Sequence, residues 1–256
     1  MARPSARTRE RTEAARAKVP VLILPPADAL DTIAGIKGTV TATILDPWYN
    51  KGVGGVREDY DDWLVHLLSA TLDISHHIFL WGFPEIVARI IPRLPRGLEL
   101  VAWLTWYYKN CPSVIRGWRS SQLACLHLSR PGARLYPEHF MNDPQKRLQL
   151  EGKLRYMPGP PSVIEAPLLV GFVGRNEQTG HPAQKPTQVI EPLVLMATEE
   201  GDTVLDPMCG SGTTGVVCAS LSRRAILCDH SEEYVTMTEQ RLAIGRTHRD
   251  VVVPDV

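Results

Sequence analysis

Three short clusters in this chain combine residue types that handle polar ligands. In "ILDPWYN", residues 44–50, Asp46 and Pro47 stand beside the aromatic Trp48 and Tyr49. A carboxylate and a backbone carbonyl can accept both N–H bonds of an exocyclic amino group while an aromatic face stacks on its ring. In "HPAQKP", residues 181–186, prolines enclose His181, Gln184 and Lys185. In "DPMCGSGTTG", residues 206–215, Asp206, Pro207 and Cys209 precede a G-x-G-x-x-G formed by Gly210, Gly212 and Gly215, with Thr213 inside it. Glycines at that spacing let a ligand approach the backbone closely. Fourteen residues beyond Gly215, "AILCDH" carries Asp229, an acid that can accept from two ribose hydroxyls. Glycine turn and acid together read as an adenosine-type site and specify no phosphate. The glycine turn alone would also suit a nicotinamide-dependent oxidoreductase, but that leaves "DPWYN" and "HPAQKP" without a role.

Groups of this kind work at the ends of strands, and the pattern supplies strands. "TVTATILDP" alternates, turns apolar and stops at Pro47, which predicts a buried strand ending at Asp46. "HHIFLWG", "LELVAWLTW", "SSQLACLHLSR", "DTVLDP" and "RAILCD" read as further strands, and "KVPVLILPP" as an edge strand. "DYDDWLVHLLSATL", "FPEIVARIIPRL", "PTQVIEPLVLMATEE", "GTTGVVCASLS" and "SEEYVTMTEQRLAIG" have helical spacing, the last capped by Ser231. "KGVGG" is too glycine-rich for regular structure. Strands alternating with helices predict an α/β fold, a mostly parallel sheet with helices on both faces. From Pro131 to about Gly180 the pattern dissolves into prolines and short elements, as in an insertion.

The 256 residues, 44% of them apolar, suit one domain over 21–256 that includes a small insertion at 131–180. Residues 1–20 read as a basic mobile arm, with six Lys/Arg against two Asp/Glu and no apolar core of a signal peptide. No run of about 18 apolar residues predicts a membrane helix. Five cysteines without a C-x-x-C pair predict free thiols, a cytoplasmic location and no metal site. Net charge is zero, yet residues 86–175 hold thirteen Lys/Arg against five Asp/Glu. A basic middle and a basic arm can follow a phosphate backbone.

The three clusters jointly resemble the motifs of amino-group DNA methyltransferases, which methylate adenine N6 or cytosine N4 from S-adenosylmethionine (SAM). The family forms are D-P-P-Y, H-P-x-Q-K-P and D-P-F-x-G-S-G-T-T. The order here, amino-group motif first and glycine motif last, resembles the circularly permuted "beta" arrangement. The resemblance spans roughly residues 40–245. It implies a Rossmann-like SAM-dependent methyltransferase fold, with 131–180 as the target-recognition insertion, in a bacterial or phage-encoded protein.

By that resemblance, Asp46 and Pro47 would grip the target amino group and Tyr49 would stack on the base, with Trp48 beside them. Asp206, Pro207, Cys209, Gly210, Gly212, Thr213 and His181 would line the cofactor. Asp229 would take its ribose hydroxyls, and Lys185 would lie near its carboxylate. Double-stranded DNA would be the substrate, its target base flipped out. Arg130, Arg134, Lys146, Arg147, Lys153 and Arg155 would contact it, and so small a reader implies a short site, a homodimer or a protein partner. Asp at the first motif position leans to adenine N6, with cytosine N4 as the alternative. Trp48 stands where the family has a second proline, and Gln122 where many relatives have a glutamate. Those departures leave open a silent nucleic-acid-binding subunit.

Overall fold

The computed structural model describes residues 20–50, 55–111, 114–115, 117–247 and 253. Residues 1–19 of the expected arm and 51–54 of "KGVGG" lie outside the described residues. Chain order runs β1 (Val21–Ile23), α1 (Ala29–Gly35), β2 (Val40–Leu45), α2 (Tyr60–Leu72), β3 (Ser75–Gly82), α3 (Pro84–Ile90) and β4 (Glu99–Tyr107). A small hairpin of β5 (Val114–Ile115) and β6 (Trp118–Arg119) leads into β7 (Gln122–Ser129). Then come α4 (Asp143–Leu150), β8 (Val163–Glu165), α5 (Thr187–Ala197), β9 (Thr203–Asp206), α6 (Thr213–Ser220), β10 (Arg224–Leu227) and α7 (Glu232–Leu242).

Eight strands form one sheet in the order β1-β10-β9-β2-β3-β7-β4-β8. All neighbours are parallel except the pairs that β7 makes with β3 and β4. The exception has a covalent cause. A parallel neighbour needs a crossover, whereas β4 returns to β7 through a hairpin on the same edge. Apolar alternation then sorts the helices. Phe79 and Trp81 of β3 face one core with α5 and α6, while Ile78 and Leu80 face the other with α2 and α3. Helix α2 sends Trp63, Leu64, Leu67 and Leu68 inward at helical spacing, with Asp61 and Asp62 in its first turn.

The segment 131–180 is more integrated than an appended insertion. Its strand β8 joins the main sheet beside β4, where Thr105 pairs with Val163. A run of three residues among prolines carries too little periodicity to announce such a strand. Helix α1, begun by an Asp28 side chain that accepts from Leu30 N–H at 2.9 Å, also escaped the pattern.

The chain winds outward in both directions from the central pair β2–β9. One branch proceeds to β3, the other to β10. Open α/β sheets bind ligands at such a switch point, outside the carboxyl ends of the strands. Asp46, which follows β2, and Asp206, which ends β9, both lie there. The late position of the glycine loop is explained by this topology: C-terminal strands complete a sheet whose other half was laid down first.

Candidate active site

A cavity of about 700 Å³ opens at this switch point, and its walls include Asp46, Tyr49, Lys185, Asp206 and Asp229. It brings together the residues expected from the three sequence clusters, except Gly212, which does not line it.

The glycine loop is shaped by its neighbours. Gly210 and Gly212 have φ of 50° and 74°, where an L side chain is strained. A Cβ at Gly210 would meet the His181 ring at 2.9 Å, and one at Gly212 would meet Thr238 at 2.8 Å. Gly215 serves packing: a Cβ there would stand 2.5 Å from Leu227 of β10, so α6 could not lie so close to the sheet. Gly210 N–H donates to Asp229 Oδ2 at 2.9 Å, and Ser231 N–H donates to Oδ1 at 3.0 Å. The acid at the next strand's tip is thereby fixed against the loop.

Asp206 is buried, and its oxygens accept from the Thr214 hydroxyl at 2.5 Å and from Met208 N–H at 3.2 Å. Burial outweighs these bonds and pushes its carboxyl up to about 7. Cys209 lies buried in the same loop, and burial holds its thiol far above the range of a nucleophilic thiolate.

At the β2 end, the Tyr49 hydroxyl donates to Asp46 Oδ1 at 3.1 Å, and the Tyr49 ring meets Phe83 edge-on at 4.8 Å. Burial first, and the Asp46 charge second, push the phenol well up, so it acts as a donor. Pro47 is buried. Trp48 packs with Trp63 and Tyr60 at 4.9 and 5.3 Å, and the Tyr60 hydroxyl donates to its carbonyl. That carbonyl bond holds the strand's exit in place of the missing second proline.

"HPAQKP" crosses the cavity mouth. His181 packs on Gly210 and meets Tyr234 at 4.3 Å, and burial lowers its pKa, which favours the neutral ring. The Gln184 side chain accepts from Thr179 and donates to the Glu177 carbonyl. The Lys185 carbonyl accepts from the Thr213 hydroxyl at 3.0 Å, tying this segment to the glycine loop. Its ammonium bonds Asp46 Oδ2 and the Tyr49 hydroxyl, and lies 4.9 Å above the Trp81 ring. Lys185 was expected at a cofactor carboxylate; here its charge is directed at the amino-group motif.

The basic residues expected at DNA are not brought to this cavity. Arg130 donates twice to the Leu72 carbonyl, and Arg134 pairs with Glu138. Both follow β7, at the sheet edge opposite Asp46. Lys146 and Arg147 are exposed on α4; beyond it Lys153 pairs with Glu151, and Arg155 is exposed.

Arg241 was missed. Its guanidinium donates to the Ser211 carbonyl, the Ser211 hydroxyl and the Thr213 hydroxyl at 2.9–3.2 Å, and it pairs with Glu177. Glu177 in turn accepts from Thr187 N–H, so one residue ties the glycine loop to the "HPAQKP" segment. In sequence it reads as a routine cation in a helix's last turn. Asp28 and Ala29 also line the cavity; the Asp28 cap signal before an apolar-periodic stretch could have found that helix.

The family model described as DNA methylase, of the N6/N4 type, matches residues 162–240, which hold "HPAQKP", the glycine loop and Asp229. Over that segment the chain is similar to the N6/N4 amino-group DNA methylases. Among curated relatives of this family, the type II methyltransferase M.HpaI of Haemophilus parainfluenzae is 32% identical over 152 residues, which cover 57% of this chain and 46% of the relative. The match therefore spans about half the length of that relative. Among solved structures, the M1.HpyAVI–SAM complex superposes with a TM-score of 0.65 at 22% identity, over 88% of this chain and all of the other. The cytosine-N4-specific PvuII DNA methyltransferase gives 0.65 at 16%, over 88% of each chain. These likenesses establish the SAM-dependent methyltransferase fold, a mostly parallel sheet flanked by helices, for this chain. Among the described residues, no helix is long and apolar enough to cross a membrane, and no cluster of His, Cys, Asp and Glu could hold a metal ion.

Proposed function

We propose that this chain is a SAM-dependent DNA methyltransferase acting on the N6 amino group of an adenine flipped out of duplex DNA. One observation carries the reading: an amino-group site and an adenosine-type site share one cavity at the sheet's switch point. The match to the DNA methylase model and the similarity to the DNA adenine methyltransferase YhdJ of Escherichia coli support DNA as substrate.

The cavity fits the cofactor on its own chemistry. A desolvated carboxyl at Asp206 is suited to a cationic amino group, which would restore its charge. Asp229, held by two backbone N–H groups, has lone pairs left for ribose hydroxyls. His181 and Thr213 would wall the same end. When bound, SAM supplies an electrophilic methyl group on a sulfonium.

The residues of the chain do the rest. An aromatic amine is a weak nucleophile because its lone pair is spread into the ring. Asp46 and the Pro47 carbonyl would accept its two N–H bonds and localise that pair on nitrogen. Tyr49 would stack on the base and offset part of the unstacking cost, by ~1–3 kcal/mol. Lys185 and the Tyr49 hydroxyl fix the Asp46 rotamer, so both oxygens are oriented before the base arrives. After transfer, Asp46 is the group placed to take the surplus proton from nitrogen. Positioning and electrostatics thus supply the catalysis, with no covalent enzyme intermediate.

The choice of adenine over cytosine rests on Asp46 at the first motif position, and the test distinguishes the two bases. The test is to incubate the chain with isotopically labelled SAM and mixed-sequence duplex DNA, then digest and analyse nucleosides by mass spectrometry. N6-methyladenine that disappears in Asp46→Ala is expected. N4-methylcytosine would overturn the base, and an unlabelled digest would overturn the activity.

A further inference from the structure

The connection between β4 and β7 leaves the sheet on the same edge as Asp46, because β4 runs parallel to β2 and β3. Its foot is fixed. Tyr108 is buried against Trp106, with ring centroids 5.0 Å apart, and its N–H donates to the Ser121 carbonyl at 2.9 Å. The Asn110 side chain clasps the Leu168 backbone through both its N–H and its carbonyl, at 2.8 and 2.9 Å. Above this foot stands the β5–β6 hairpin, in which Ile115 pairs with Trp118. Trp118 is 82% exposed, one of the most exposed large apolar side chains among the described residues, and Arg119 beside it is exposed as well.

An indole held in water forgoes the burial that aromatic side chains normally gain. Its place suggests what covers it. Two to three strand spacings separate β2 from β7 and β4, so the hairpin base lies roughly 10–14 Å from Asp46 along the sheet edge. That offset is comparable with the ~12 Å width of a DNA major groove. A base drawn into the cavity leaves a gap in the stack at about that remove. An aromatic or apolar wedge can fill such a gap, and a neighbouring arginine can hold the flanking phosphate.

We propose that Trp118 is the wedge that enters the base stack when the target leaves it, with Arg119 anchoring the adjacent backbone. The inference rests on the reading of the chain as a DNA methyltransferase. Its partner is duplex DNA, and its contribution is to opening the pair, with the chemistry left to Asp46.

The test compares wild type, Trp118→Ala and Trp118→Phe on two duplexes, once the labelled position is known. One duplex is fully paired; the other carries an abasic site opposite the target, which lowers the cost of flipping. Trp118→Ala is expected to lose about 10- to 100-fold in kcat/KM on the paired duplex, the equivalent of one lost stacked aromatic. It should stay close to wild type on the abasic duplex, and Trp118→Phe should keep most activity on both. An equal loss on both duplexes would make Trp118 a general contact and overturn the wedge. So would wild-type rates on both, including the case in which Trp118→Ala instead changes the sedimentation of the protein and marks a protein interface. If wild type labels no DNA at all, the functional reading falls and the wedge with it; if wild type labels DNA and Trp118→Ala is indifferent, only the wedge falls.

Discussion

Lys185 Nζ bonds the Asp46 carboxylate across 139 positions of sequence. Lys185 is almost wholly buried, its side chain 4% exposed, and Asp46 retains 22%. The pair joins two motifs that were expected to serve different ligands. Lys185→Met should lower kcat by about 10²–10³-fold, the scale for losing one preorganised electrostatic group. Asp46→Asn should cost at least as much. The two losses should not add in the double variant, because each single change already breaks the same contact. Single-turnover methylation of duplex DNA by the four proteins checks this, and strictly additive losses would mean that the pair does not act as a unit.

Arg241 supports the glycine loop from behind. Arg241→Ala would remove three donated bonds to Ser211 and Thr213 together with the Glu177 pair. A hydrogen bond from a charged group contributes about 1.5–3 kcal/mol. SAM affinity should therefore fall by about 10-fold or more, as measured by titration calorimetry, while circular dichroism stays unchanged. Arg241→Lys should restore only part of it, since an ammonium lacks the planar fork. Undiminished affinity in Arg241→Ala would show that Gly210 and Gly212 hold the loop unaided.

The sequence made the strand ends legible because turn chemistry is local. Pro47, Pro207 and the glycines mark where β2 and β9 stop, Asp46 and Asp206 sit at those stops, and Asp229 follows the end of β10. Long-range facts left no such mark. The antiparallel course of β7 follows from a hairpin connection, and no periodicity distinguishes it from its parallel neighbours. Charge counting left the places of Arg130 and Arg134 open, since a surplus along residues 86–175 does not say which sheet edge receives it. Trp118 was present in "GWRSSQ", but only the fold reveals that it stands uncovered on the cavity's side.

Cofactor binding should depend on pH through Asp206. Its carboxyl is pushed up to about 7 by burial, so in the free protein it takes up a proton as pH falls below 7. The proposed partner is a cation and needs the carboxylate. SAM affinity should therefore rise with pH up to about 7 and then level off. Below that value it should weaken by up to tenfold per unit, one proton being displaced per molecule bound. Asp206→Asn should bind weakly and lose the slope. Affinity flat from pH 5.5 to 8 in the native protein would remove Asp206 from the cation site.

Acid stability should be governed at the other edge of the sheet, by His77 and His127. His77 Nε2 stands 3.0 Å from the Arg134 carbonyl and must donate to it, which leaves Nδ1 to accept from His127 Nε2 at 3.2 Å. That chain of bonds requires His77 neutral, because its Nδ1 accepts, and burial favours a neutral His127 beside it. Burial lowers both, His127 to about 3, against an unfolded value of about 6.5. Above pH 6.5 neither state is protonated and the pair has no pH effect. Below it the unfolded chain takes up protons that the folded one refuses, so stability drains as pH falls, at up to about 1.4 kcal/mol per unit for each ring. Urea unfolding between pH 7 and 4 should show this slope. His127→Phe, stacking on Phe79 as the imidazole does at 4.3 Å, should reduce it by about one proton despite the bond lost to His77. An unchanged slope in that variant would assign the acid sensitivity to other groups.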